Sequence, residues 1–383
     1  MKIVHICMSQ YSDGWTYQEN LLTKYHRKLG YNVSLITSMY CYKEGVLVED
    51  TNSSFIDVNG TKIIRLKKKS EGLMKKIPSY IGFYEALSSE KPDIIFSHGC
   101  QYKDAALVAK YIKNHPDVRL YVDNHADFSN SATNFFSKNI LHKVVWRHYA
   151  QKMLPYTICF WGVLPARVDF LTDVYSIPKE KCKLLVMGAD DELVDKSDSV
   201  IQKNALRQKY GIKKDDFLIV TGGKIDKAKL QTELLMKAVL NITNPNVKLL
   251  LFGSIEDDIK ERIMKLVDGR RIIYVGWITP NESYDYFAIA NFVVFPGRHS
   301  VFWEQVAGQG IPLLVKDWKG THHINLCDNA IIINDITIDT LNREISTLIS
   351  NPDTYKRLLD AAKCAKSNFS YLEIAKKSIG DII

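Results

Sequence analysis

The chain has 383 residues, 46% hydrophobic and 25% charged, with a formal net charge of +8. That length favours two domains with a core each, and the composition excludes a largely disordered protein. Seven cysteines without a CxxC pair argue against a disulfide framework or a structural zinc site, so a reducing compartment is expected, and the charge sets only the sign of a partner: nucleic acid, anionic lipid or phosphorylated substrate.

The opening run Lys2 to Cys7 reads as a buried first strand, too short for the apolar region of a signal peptide. Further strands are predicted over Asn32 to Thr37, Asp93 to Ser97, Arg119 to Asn124, Tyr156 to Phe160 and Lys183 to Met187, with helices filling the gaps. The apolar run near Tyr156 to Pro165 is about half of the ~20 residues a membrane span needs. A polar stretch from Asp190 to Lys203 is the expected linker. Strands then resume over Phe217 to Thr221, Val247 to Phe252, Ile272 to Val275, Phe292 to Phe295 and Pro312 to Val315. This alternation predicts an α/β protein of two Rossmann-like domains, 1–190 and 191–370. The helical spacing over 371–383 fits either a cap on the second domain or a helix crossing back to the first.

Ligands in open α/β sheets bind beyond the carboxyl ends of the strands. The residues there include Gly14, His98, His125, Gly188, Gly223, Lys224, Gly253, Gly276 and the stretch Pro296 to Glu304. In Thr221-Gly222-Gly223-Lys224-Ile225-Asp226-Lys227-Ala228-Lys229, two glycines permit a tight turn and Lys224 and Lys229 bring positive charge above a helix start. Such a loop suits a diphosphate; taken alone it also reads as a solvated basic loop.

Together with Gly253, Gly276-Trp277, Phe295-Pro296, Gly297-Arg298-His299-Ser300-Val301 and Glu304-Gln305-Val306-Ala307-Gly308-Gln309-Gly310-Ile311-Pro312, this loop resembles the donor half of the retaining GT-B glycosyltransferases of family four. The resemblance implies two Rossmann-like domains facing each other across a cleft. It gives the donor diphosphate to Gly223, Lys224 and Lys229 and the ribose hydroxyls to Glu304, and it sets the backbone at Trp277 against the base, where the indole either covers one face of a uracil or serves packing. One departure stands out. The family's second glutamate, eight positions before the ribose-binding one, is replaced here by Pro296, and the loop is shorter. Arg298, His299, Ser300 and Val301 occupy the place of the sugar contacts.

In the first domain, Asp13-Gly14-Trp15-Thr16 resembles the family's glycine loop, and Met187-Gly188-Ala189-Asp190 its closing turn. His125, in Asp123-Asn124-His125, stands where relatives place a histidine that meets the donor sugar; a structural histidine is the competing reading. His98 is a secondary candidate. His322 and His323, being adjacent, are not expected to form a metal pair.

The resemblance implies a hexosyltransferase that moves a sugar with retention from a nucleotide diphosphate donor, expected to be a UDP-sugar, to a glycan or lipid-linked saccharide in surface polysaccharide synthesis. No metal or other cofactor is expected, since paired lysines can stabilise the leaving diphosphate. Catalytic roles fall to His125, Lys224 and Lys229. Two basic regions, Arg65 to Lys76 and a predicted helix from Phe135 to Met153 carrying Lys138, His142, Lys143 and Arg147, suggest a cytoplasmic protein in peripheral contact with an anionic membrane. A core helix with a solvated basic side fits the same pattern. The lysine runs are too short for a nucleic-acid site. Competing readings are a sugar-nucleotide epimerase of similar fold and an inactive nucleotide-sugar-binding subunit, which the loss of the glutamate at Pro296 would suit.

Overall fold

The structure is a computed structural model that describes residues 1–43, 46–69, 77–227 and 230–380. The chain divides into two compact units, Met1–Val186 with Tyr371–Ile383, and Met187–Ser370.

The first unit contains strands β1 (Lys2–Cys7), β2 (Asn32–Ser38), β3 (Tyr40–Lys43), β4 (Val46–Glu49), β5 (Ser54–Ile56), β6 (Lys62–Leu66), β7 (Ile94–His98), β8 (Arg119–Asn124), β9 (Thr157–Gly162) and β10 (Cys182–Leu184). Eight of them form one sheet in the order β10-β9-β8-β7-β1-β2-β6-β5, while β3 and β4 make a separate hairpin. Among the described residues only the β5 edge is antiparallel within the large sheet. Alternate residues of β1 feed different cores: Val4 and Ile6 pack with Phe83, Val108 and Phe160, whereas Ile3 packs with Leu22, Val33 and Tyr121. A strand buried on both faces therefore reads as a continuous apolar run.

Helices were expected between the second and third predicted strands, and strands β3 to β6 occupy much of that gap instead. The reason is visible in β6, where buried Ile63 and Arg65 alternate with more exposed neighbours. Arg65 remains inside because its guanidinium donates to the carbonyls of Ser38, Tyr40 and Tyr11. The helix Tyr371–Ser378 belongs to this first unit. Its Tyr371, Ile374 and Ala375 pack against Leu21, Leu22 and Tyr25 of the helix Gln18–Lys28.

The second unit contains β11 (Phe217–Gly222), β12 (Val247–Phe252), β13 (Ile272–Gly276), β14 (Phe292–Phe295), β15 (Leu313–Lys316) and β16 (Ala330–Ile333), ordered β13-β12-β11-β14-β15-β16 and parallel throughout. The last strand was not anticipated from the sequence. Its Ala330-Ile331-Ile332-Ile333 pairs with β15 at the sheet edge.

Both sheets are doubly wound and Rossmann-like. The chain builds outward from β1 through β2 in one direction and from β7 through β8 in the other, and does the same from β11 and β14. Strand order reverses between β1 and β7 and between β11 and β14. These switch points open crevices at the carboxyl ends of the strands, where ligands of such folds bind.

Candidate functional site

In the second unit three glycines end adjacent strands. The Gly223 amide donates to Phe252 O at 3.1 Å and the Gly253 amide to Gly276 O at 2.7 Å, so the loops after β11, β12 and β13 are laced by backbone bonds. The fit is close. A Cβ on Gly253, whose φ is +120°, would stand 2.1 Å from Gly223 O. Glycine is required there both for space and for conformation.

Beside this edge Lys224 is exposed, and its Nζ lies 2.7 Å from Glu256 Oε1. That hydrogen bond raises its pKa and keeps it a cation. Lys227 pairs likewise with Asp258 at 2.7 Å. Lys229, the other lysine expected at the diphosphate, lies outside the described residues. Trp277 projects into solvent, 69% exposed, directly after the glycine that ends β13.

The loop after β14 enters the helix Phe302–Gly308. Phe302 packs on Phe252, whose ring also covers Gly222, so this loop shares one aromatic with the β11 and β12 ends. Ser300 and Val301 serve the helix start: their carbonyls accept from the amides of Trp303 and Gln305. Arg298 is exposed. His299 turns inward, and its Nε2 donates to Glu304 Oε1 at 2.8 Å.

Glu304 is fully buried. His323 donates to the same Oε1, also at 2.8 Å, whereas Oε2 has no hydrogen-bond partner among the described residues. Burial would raise the pKa of this carboxyl, but His299 and His323 hold it well below the usual carboxylate range. A charged carboxylate thus waits beneath the loop with one oxygen unserved. The role of His323 was not foreseen. Its neighbour His322 turns elsewhere, to Asp317 Oδ1 at 2.6 Å.

In the first unit, β1, β7 and β8 bring a second polar group to their carboxyl ends. Asp123 Oδ2 receives His98 Nδ1 at 2.9 Å and lies 3.3 Å from His125 Nε2. Asp123 is fully buried, which would raise its pKa; His125 and His98 instead hold it far below the ordinary value. Gln18 donates to the same oxygen at 3.4 Å. Nearby, burial pushes the Glu19 carboxyl up. Gly14, with φ +73°, precedes this helix on an exposed turn with nothing within 4 Å of its Cβ position. Asp123 is a candidate site residue that the sequence did not single out. The available signal was an acid at the end of an apolar strand, two residues before His125.

Two groups, His98 with Asp123 and His125, and His299 with Glu304 and His323, each bring three potential ligand atoms within 4.8 Å of one another. In the first, both ring nitrogens of His98 are already engaged, by Asp123 and by His5. In either group a cation could replace the histidine donors on the shared carboxylate oxygen, and in the first it would leave His98 Nε2 to His5.

Residues 202–364 match the family described as glycosyl transferases group 1. The second unit carries a glycosyl transferases group 1 domain. On that domain the chain is a transferase. Its whole length resembles a glycosyltransferase from Rickettsia africae at 15% identity and TM-score 0.70, covering 100% of this chain and 99% of the other. A complex of Anabaena Alr3699/HepE with UDP matches at 15% identity and TM-score 0.69, covering 98% of each chain. A protein from Listeria monocytogenes described as a putative UDP-N-acetylglucosamine 2-epimerase matches at 13% identity and TM-score 0.63, covering 98% of this chain and 94% of that one. Comparison with curated proteins gives no match. At these identities the likeness is one of fold, and the fold serves both transferases and epimerases. The group 1 domain spans the laced glycine loops, Lys224, Trp277, Glu304 and His323.

The predicted helix from Phe135 to Met153 is helical, with a π-type stretch over Ser137–Trp146. Phe135, Phe136, Ile140 and Val144 are exposed, as are Lys143 and Arg147. His142, expected on the basic side, is buried instead and bonded to Tyr175 Oη at 2.8 Å; burial lowers its pKa. Of the other basic region, Lys67 and Lys69 are exposed, while Lys75 and Lys76 lie outside the described residues. Among the described residues no helix is long and apolar enough to cross a membrane.

Proposed function

We propose that the chain is a retaining glycosyltransferase that moves a sugar from a UDP-sugar to a saccharide acceptor. The observation that carries this reading is Glu304: a buried, charged carboxylate in the group 1 domain with Oε2 lacking any partner among the described residues. A vicinal diol supplies the donors such an oxygen wants, and a ribose offers one. Because the side chain is covered, nucleotide entry requires His299 to move aside.

In this reading the glycine turn at Gly223 lets the diphosphate approach the backbone closely, and Lys224 exchanges its bond with Glu256 for one to phosphate. Lys224, with Lys229, then stabilises the charge that develops on the leaving diphosphate. Trp277 covers the base. Arg298 and His299 take the sugar contacts in place of the missing glutamate, with Ser300 and Val301 holding the loop on its helix. His125 keeps the role at the donor sugar that the family resemblance gives it. No divalent cation or other cofactor takes part, because the lysines supply the positive charge.

The exposed apolar and basic helix supports an acceptor at an anionic membrane surface, such as a lipid-linked saccharide in surface polysaccharide assembly. Peripheral attachment to the cytoplasmic face of the membrane follows from the same reading.

Calorimetric titration with UDP, GDP and a panel of UDP-sugars tests this reading. UDP binding is expected, with loss of at least tenfold in affinity in Lys224→Ala and Glu304→Ala, and release of UDP from one UDP-sugar. Absence of binding by both nucleotides would refute the reading.

A further inference from the structure

The register of β7 on β8 sets His98 beside Asp123, and His125 follows just past the end of β8. Two of these three side chains thus stand on paired strands of a buried sheet, which fixes their spacing better than a loop does. Asp123 Oδ2 lies 2.9 Å from His98 Nδ1 and 3.3 Å from His125 Nε2. Around a zinc ion, neighbouring ligand atoms about 2.1 Å from the metal stand roughly 3.0–3.4 Å apart. Both spacings are close to that separation. The three ligand atoms lie within 4.8 Å of one another, and the His125 side chain, 42% exposed, has room to close what remains.

Three further observations favour an ion here. Asp123 is fully buried, yet its Oδ1 has no hydrogen-bond partner among the described residues, less support than a buried carboxylate usually receives. Glu19 adds a second carboxyl that interacts electrostatically with His98, His125 and Asp123. His98 also has an outer partner. With Nδ1 on a metal, the proton of the neutral ring sits on Nε2 and faces His5 Nδ1 at 3.0 Å, the kind of bond that orients a metal-binding imidazole. The set around Glu304 lacks this feature, because Nδ1 of His323 is buried without a hydrogen-bond partner among the described residues. Its Glu304 is also fully covered, whereas the exposed His125 leaves coordination positions open to water.

We propose that His98 Nδ1, Asp123 Oδ2 and His125 Nε2 bind a zinc-like dication, and that the bound ion withdraws His125 from the donor sugar. Two imidazoles and one carboxylate suit zinc and neighbouring first-row metals, whereas magnesium wants oxygen ligands throughout. The ion takes the place of the two histidine contacts on Oδ2, and Gln18 Nε2 at 3.4 Å remains as a donor to the carboxylate. It has no part in neutralising the leaving diphosphate, which is the task of Lys224 and Lys229. Metal binding stands by itself; the effect on transfer rests on the transferase reading, because it requires His125 to serve at the sugar. Zinc is then an inhibitor of transfer.

The test is calorimetric titration of the full chain, stripped with EDTA and free of nucleotide, with zinc chloride and separately with magnesium chloride. One zinc per chain is expected, bound far more tightly than magnesium, and cobalt(II) should take the same place with visible absorption. Zinc affinity should fall about tenfold or more in His125→Gln, a change at an exposed side chain, and in His98→Gln, and should be kept in His299→Gln. Zinc that fails to bind, that magnesium matches, that survives in His125→Gln or that needs His299 would overturn the proposal. In a second arm, wild-type turnover of a UDP-sugar should fall as the zinc site fills and return on adding EDTA. Turnover untouched by saturating zinc would overturn the effect on His125. Absence of turnover in every sample would instead refute the transferase reading and leave the zinc titration as it stands.

Discussion

His323 Nε2 lies 2.8 Å from Oε1 of Glu304, although the two residues are nineteen apart in the chain. Together with His299 it converts a fully buried acid into a stable anion inside the group 1 domain. That arrangement has a consequence for stability. The folded pKa of Glu304 is depressed, so its contribution is present above the unfolded value and is lost as pH falls through the folded one. Glu304→Gln should therefore cost about 3–5 kcal/mol near neutral pH, the usual effect of breaking a buried pair. The difference from wild type should shrink below about pH 4.5, where the unfolded carboxyl takes up its proton. Urea unfolding across pH checks this; a difference that does not vary with pH would remove the ionised pair.

Gly253→Ala should destabilise the second unit by about 2–4 kcal/mol. The new methyl meets the Gly223 carbonyl at a φ that alanine rarely adopts. Because the same loop is proposed to hold the diphosphate, UDP affinity should fall with stability, as thermal unfolding and titration of one sample would show. An alanine variant as stable as wild type would mean that the loop is not held as closely as the backbone bonds indicate.

The helix bearing Phe135, Phe136, Ile140 and Val144 should carry the protein onto anionic vesicles. Flotation with phosphatidylserine liposomes is expected to show binding that weakens with salt, and Phe136→Ser with Lys143→Glu should abolish it. Binding that is absent, or insensitive to salt, would remove the membrane role and leave a helix face that serves another purpose.

Chelation provides a separate test of the leaving-group chemistry. If Lys224 and Lys229 supply the positive charge, transfer should persist in EDTA at an unchanged rate. Abolished transfer that returns with a divalent ion would point to one of the two sets able to take it among the described residues, His98 with Asp123 and His125 or His299 with Glu304 and His323.

Much of the fold was legible because local chemistry decides it. The runs Lys2–Cys7, Arg119–Asn124, Val247–Phe252 and Phe292–Phe295 are strands, because a strand buried on both faces needs an uninterrupted apolar stretch. Less visible were β3 to β6 and β16, which lie toward sheet edges or in a hairpin, where mixed polarity blurs the period. The glycines of the second unit could be picked out by their places after strands. Their lacing across three loops could not.

What the sequence by itself determined is the alternation of strands and helices, the glycine and lysine pattern after β11, and the acid that opens the last motif. Tertiary structure alone decided which groups meet. Asp123 gains His98 because β7 and β8 lie side by side, and Glu304 gains His323 because β14 and β15 do. Periodicity records only how a residue relates to its neighbours along the chain, whereas a buried hydrogen bond depends on which strands lie side by side.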